Sequence, residues 1–340
     1  MKSFWDRLKE DRPMVYDGGF GSQLFELGIK LTNSALANAS HPGGVVTVHR
    51  AYIDAGADAI GTNTFVVSPL HLEMAGANAD EAERLARLAV QHARAAVEQS
   101  EREVYIGGSI GPSPGAIEAD AGDTVFGIAN DKVIAAHTRV IEALADAGVD
   151  FFVIETQFSA KEAALAANIA RKTGLPIAIN MTYKFTQDRK TGELIYKTDW
   201  GVSPGVLLDT LAGGEFSDGH NLLENIQLLG LNCGAETRNS NHTGMPYAIE
   251  GTRQMKKAMA DRGVAGKRLM AYPNAGLPTL DKVTKSASYS QGPEDMATYI
   301  SELLDTGGFL IGGCCGTSPA HIRAFRQAVD AHIKATMGDS

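Results

Sequence analysis

Cysteine is nearly absent from this chain: 340 residues carry three. So sparse and odd a count excludes a disulfide framework, and in a reducing compartment it leaves the thiols for metal binding or chemistry. Clusters of basic residues are absent too. The 31 Lys and Arg are outnumbered by 40 Asp and Glu, for a formal net charge of −9. The chain therefore lacks the electrostatic footprint of a phosphate-backbone binder, and no nucleic-acid partner is expected. No apolar run is long enough to span a bilayer. Residues 1–13 are charged, with Phe4, Trp5 and Leu8 as their large apolar residues, which suits neither a secretory leader nor a membrane anchor. A cytoplasmic location is expected, with no membrane partner. No stretch has a disordered composition, and 44% hydrophobic residues can fill the core of one large barrel or two modest domains.

What the chain does contain is a series of apolar runs too short for helices, at 14–16, 58–61, 104–107, 151–154, 176–180, 228–231, 269–272 and 309–311. Helical patterns lie between most of them, for example 80–98 and 131–147. Strands that are apolar throughout and alternate with helices imply a parallel sheet covered on its outer face. A weak internal repeat agrees. The segments 51–62, 142–155 and 301–312 each end a helix pattern at a glycine (Gly56, Gly148, Gly307) and enter a strand within a few residues, a tight helix-to-strand connection. The expected fold is α/β: a single (β/α)8 barrel domain over 1–340.

The connection lengths show which end of that barrel works. Helix-to-strand links are short, whereas strand-to-helix links are long, at 107–129, 181–206, 233–244 and 273–292. That puts the active site at the C-terminal ends of the strands. Residues just past those ends include Asp17, Gly18, Gly19, Thr62, Asn63, Thr64, Ser109, Glu155, Asn232, Cys233, Asn274, Cys314 and Cys315. All three thiols belong to this set, and no lysine does.

Cys233 and the Cys314-Cys315 pair are too far apart in sequence for a zinc finger. The ends of the sixth and eighth strands, however, lie two strands apart on one rim. Three thiolates without a fourth Cys or His leave an open position, as in a catalytic zinc site. Their complex with Zn2+ carries a net charge of −1, so a substrate thiol bound there would be deprotonated yet still nucleophilic, suited to attack on a methyl group. The bland alternatives are inert packing of small buried thiols, or a vicinal redox pair. Asp17 and Glu155 either cap the helices that follow them or hold an ammonium group. Gly18, Gly19, Gly312 and Gly313 would suit a phosphate-handling aldolase or isomerase, but the strand ends lack a catalytic lysine for one and the cysteines would be unexplained.

The motifs Asp17-Gly18-Gly19 with Gly21, Gly61-Thr62-Asn63-Thr64-Phe65, Gly108-Ser109-Ile110-Gly111-Pro112, Glu155-Thr156, Leu231-Asn232-Cys233 and Gly312-Gly313-Cys314-Cys315-Gly316-Thr317-Ser318-Pro319 together resemble the homocysteine S-methyltransferase family. The resemblance implies a zinc-dependent barrel that methylates L-homocysteine to methionine. By it Cys233, Cys314 and Cys315 would bind zinc, and Asp17 and Glu155 would hold the ammonium of homocysteine. Thr64, Ser109 and the backbone around Gly18 and Gly19 would receive its carboxylate, and Asn232 would support the metal site.

The segment from Tyr272 to Pro278 is most similar to the homocysteine module of cobalamin-dependent methionine synthase. The methyl donor would be a small molecule (S-methylmethionine, S-adenosylmethionine or a betaine-like compound) or a separate corrinoid protein carrying methylcobalamin. Two loops depart from the family pattern: a polar segment at 183–202, with a hairpin expected around Lys190-Thr191-Gly192, and Glu236-Thr237-Arg238-Asn239. A non-catalytic zinc- or redox-responsive thiol protein is the alternative from another class, and assembly as a homo-oligomer is left open.

Overall fold

Several barrel strands follow a helix that ends on a left-handed glycine. Gly56, Gly148 and Gly307 have φ of +109°, +89° and +120°, which glycine adopts without a Cβ penalty. The repeat also supplies a side chain to the sheet. Asp58 and Asp150 follow the first two of these glycines, and their carboxylates accept the N–H groups of Val15 and Ile106 at 2.9 and 2.7 Å. Gln227 does the same for Ile177 at 2.9 Å. The sheet's lower edge is therefore tied by side chains where the backbone ladder begins.

The computed structural model describes residues 2–187, 190–234, 239–280 and 287–337. Twelve strands occur among them: β1 Met14–Val15, β2 Ala59–Gly61, β3 Tyr105–Ile110, β4 Phe151–Gln157, β5 Ile177–Met181, β6 Lys184–Gln187, β7 Leu194–Lys197, β8 Leu228–Cys233, β9 Arg268–Pro273, β10 Pro278–Leu280, β11 Ala287–Tyr289 and β12 Gly308–Ile311. Eight form one parallel sheet in the order β1-β12-β9-β8-β5-β4-β3-β2. The seam between β1 and β2 is closed by Asp58 N–H to the Val15 carbonyl at 2.7 Å and by Gly61 N–H to the Asp17 carboxylate at 2.8 Å. The result is the expected (β/α)8 barrel, with all eight apolar runs as its staves. The two expected helices run Ala82–Glu98, behind a short 3-10 turn, and Asn130–Ala147.

Alternate residues of each strand point to opposite faces. Outward ones pack under alanine-rich helices such as Ala160–Ala170. Inward ones, including Met14, Phe151, Met270 and Leu310, fill the barrel. Its lower end is plugged by the N-terminal helix Phe4–Arg7, where Phe4 stacks on Phe151 with ring centroids 4.0 Å apart and meets Tyr105 edge-on at 5.1 Å. Sealing one end with aromatics leaves the other as the way in.

That open end carries the long connections. The hairpin expected around Lys190 exists: β6 and β7 pair antiparallel, with Lys184 opposite Lys197; the tip residues Asp188 and Arg189 lie outside the described residues. A second antiparallel hairpin, β10 with β11, was not foreseen. Of the other departing loop, Glu236, Thr237 and Arg238 lie outside the described residues. No helix among the described residues is long and apolar enough to cross a membrane.

Candidate active site and metal centre

The three thiols meet. The Sγ atoms of Cys233, Cys314 and Cys315 lie within 4.8 Å of one another, although two come from the turn after β12 and one from the end of β8. β9 lies between those two strands, and its C-terminal residues hold both. Asn274 N–H donates to the Cys233 carbonyl at 2.7 Å, and its side-chain oxygen accepts Cys315 N–H at 3.1 Å. Cys314 N–H donates to the Pro273 carbonyl at 2.8 Å. Asn274 thus clamps both cysteine loops, the Cys233 loop through its backbone N–H and the Cys315 loop through its side chain.

Cys233 is itself held in the left-handed region, with φ of +59°, and Thr156 at the end of β4 has φ of +56°. Such backbone is rare away from glycine and clusters at functional sites. Asn232 shows how it is fixed: its side-chain oxygen accepts Thr156 N–H at 2.7 Å while its amide donates to Thr156 Oγ1 at 2.7 Å. Asn232 is fully buried, so it braces the rim from beneath rather than facing the cavity.

The Gly-Gly pair after β1 allows a close approach. A Cβ on Gly18 would stand 2.7 Å from Thr317 Oγ1, and one on Gly19 would stand 2.7 Å from the Cys314 carbonyl. Gly19 N–H donates to Thr317 Oγ1 at 3.0 Å, and Gly313 N–H to the Asp17 carbonyl at 2.9 Å. These glycines seat the cysteine turn against the first strand, which accounts for them without a phosphate.

A cavity of about 320 Å3 opens beside the thiols, and its lining includes Tyr16, Asp17, Gly18, Gly19, Ser109, Glu155, Tyr272 and all three cysteines. Of the ten site residues expected, eight line it. Asn232 and Thr64 stand behind the wall: the Thr64 hydroxyl donates to the Ser109 carbonyl at 2.6 Å. The aromatic pair Tyr16 and Tyr272 was missed. The signal was available, because each is the last inward-facing residue of an apolar run that ends at the site.

The electrostatics are those of a site awaiting charge. Burial raises the Asp17 carboxyl well above the ordinary range. Burial also pushes Glu155 up to about 7, against hydrogen bonds that Ser109 and Tyr272 donate to its two oxygens. Among the thiols, Cys315 is drawn well below the usual value because Cys233 and Cys314 donate to it, and Cys314 is raised by donating to Cys233 and to Cys315. Three sulfur donors this close, with one already favoured as a thiolate, are a donor set for a soft, thiophilic metal ion.

The site defines a class: a parallel barrel whose mouth carries a three-thiol cluster compatible with metal binding beside two buried carboxylates. The homocysteine S-methyltransferase family profile matches residues 14–329, and the chain belongs to that family. It is 28% identical to homocysteine S-methyltransferase 4 of Zea mays over 335 residues, which covers 93% of this chain and 89% of the maize protein. It is 29% identical over 343 residues to methionine synthase of Mycobacterium tuberculosis, covering 95% of this chain but 25% of that protein. The chain thus spans about a quarter of the mycobacterial relative. Among solved structures, the metallated form of the homocysteine methyltransferase MmuM from Escherichia coli superposes with a TM-score of 0.66 at 23% identity, covering 95% of this chain and 98% of that one. That likeness shows the shared fold.

Proposed function

We propose that this chain transfers a methyl group to the thiolate of L-homocysteine, giving methionine, with Zn2+ held by Cys233, Cys314 and Cys315. The observation that carries the reading is the convergence of the three thiols, within 4.8 Å of one another, on a cavity shared with Asp17 and Glu155. When bound, zinc keeps the acceptor sulfur a thiolate at neutral pH without quenching its nucleophilicity. The chain's own residues do the rest. Asn274 and the end of β9 fix the cysteine loops. Asp17 and Glu155 take the ammonium, whose charge offsets what burial costs them. Gly18, Gly19 and Ser109 border the space for the carboxylate, with Thr64 holding the Ser109 backbone from behind. A cavity of about 320 Å3 falls within the range of small-molecule sites. Unpaired thiols of this kind suit the reducing cytoplasm.

The donor is a small methyl carrier or a separate corrinoid protein. The second gains support from Phe126 and Trp200, which are exposed on loops at the open end. Turnover with S-methylmethionine as sole donor argues for the first; turnover only with a methylated corrinoid protein argues for the second.

The test is Cys314→Ala. The variant should lose both stoichiometric zinc and homocysteine methylation. A zinc-free variant with unchanged activity refutes the metal's role. Wild-type protein that binds zinc yet turns over homocysteine with none of these donors is a thiol-metal binding protein of another kind.

A further inference from the structure

The proposed chemistry leaves one polar group on the cavity wall idle. Tyr16 is 3% exposed, and its Oη is buried without a hydrogen-bond partner. Buried hydroxyls are ordinarily satisfied, because an unpaired one forfeits its hydration for nothing. Nor can this one turn to find a partner nearby. Its backbone N–H is tied to the Ile311 carbonyl at 2.8 Å. Its ring lies edge-on to Tyr272 with centroids 5.5 Å apart. A Cβ on Gly312 would stand 2.8 Å from the Tyr16 Cβ, so the turn after β12 closes over the base of the side chain.

The hydroxyl lies on the Asp17 side of the cavity. A Cβ on Gly61 would collide with Tyr16 Oη and stand 3.9 Å from Asp17 Oδ2. The missing side chain at Gly61 thus makes room for the hydroxyl beside the backbone whose N–H binds the Asp17 carboxylate. Burial, with Asp17 and Glu155 nearby, raises the cost of ionising Tyr16, so it remains a neutral hydroxyl, able to accept through a lone pair.

We propose that Tyr16 Oη is a third hydrogen-bond partner for the α-ammonium of the amino-acid substrate, and so a specificity-determining residue. This rests on the homocysteine reading above. An ammonium has three N–H donors. Asp17 and Glu155 offer acceptors for two of them, and Tyr16 takes the third. A thiol lacking the amino group would leave both carboxyls without a counter-charge and the Tyr16 hydroxyl unpaired, and buried polar groups left this way are how a site rejects such an analogue most strongly.

Tyr16→Phe removes the oxygen and keeps the ring, so it can be titrated calorimetrically beside the zinc-loaded wild-type enzyme, using L-homocysteine and its des-amino analogue 4-sulfanylbutanoate. Affinity for homocysteine should fall about tenfold in the variant, the scale of one hydrogen bond to a charged group. Affinity for the analogue and zinc content should be unchanged, and Tm unchanged or higher, since the group removed has no partner in the free protein. Unchanged homocysteine affinity overturns the proposal, as does an equal loss for both ligands or a lower Tm with both affinities intact. Wild-type enzyme that fails to bind homocysteine overturns the underlying reading, and this inference with it.

Discussion

Glu155→Gln should stabilise the metal-free protein at alkaline pH while weakening its hold on substrate. Burial raises the Glu155 carboxyl from 4.5 to about 7, so the folded chain favours the neutral acid. The resulting stability is present below the unfolded value near 4.5 and is lost as pH rises through 7. At roughly 1.4 kcal/mol per pH unit, the loss by pH 8 is about 3 kcal/mol. Glutamine is neutral at both ends of that window. It keeps an oxygen for Ser109 to donate to and places an amide where Tyr272 now donates. Urea unfolding of the reduced, zinc-free proteins should give similar stabilities at pH 4.5 and an advantage for the variant approaching 3 kcal/mol at pH 8. Homocysteine affinity should fall in the same variant, because a carboxylate facing the ammonium has gone. In the wild type that affinity should strengthen as pH rises through 7 and Glu155 ionises. A stability difference independent of pH would refute the burial argument.

Other perturbations probe the scaffold. Asn232→Ala removes both bonds that hold Thr156 at positive φ; it should cost about 1–3 kcal/mol in unfolding measurements and loosen zinc binding measured with a competing chelator. Asn274→Ala should weaken zinc binding with a smaller loss of stability, since it removes the side-chain oxygen that holds Cys315 N–H and the amide that reaches the Gly234 carbonyl. Gly230→Ala would drive a Cβ into the Met270 carbonyl between two barrel strands; it should destabilise by about 1–3 kcal/mol or more, read as a lower Tm.

The barrel was legible because its staves are apolar on both faces and three of them begin just after a helix-ending glycine (Gly56, Gly148, Gly307), a pattern that needs no tertiary information. Its closure was not: the β1–β2 seam depends on Asp58 and Asp17 accepting backbone N–H groups across it, and a strand end gives no sign of whether its carboxylate faces the sheet or the cavity. The β10–β11 hairpin hid in a polar stretch without alternation. The thiol cluster was readable from three cysteines at two strand ends, but the clamp on it was not, because Asn274 looked like any small polar residue past a strand. Thr64 was placed correctly on the rim. Its hydroxyl proved to be engaged with Ser109, a choice made by the neighbouring loop. Tyr16 and Tyr272 were not among the site residues expected, although each ends an apolar run at the barrel mouth and lines the cavity.

The central claim is that the three thiols hold zinc and leave a place for the acceptor sulfur. Zinc-edge X-ray absorption on the purified, zinc-replete protein, with and without L-homocysteine, tests it most directly. The account predicts one zinc per chain bound by three sulfurs, with a fourth sulfur joining when homocysteine is added. Zinc absent at stoichiometric level, or a shell indifferent to homocysteine, would contradict it.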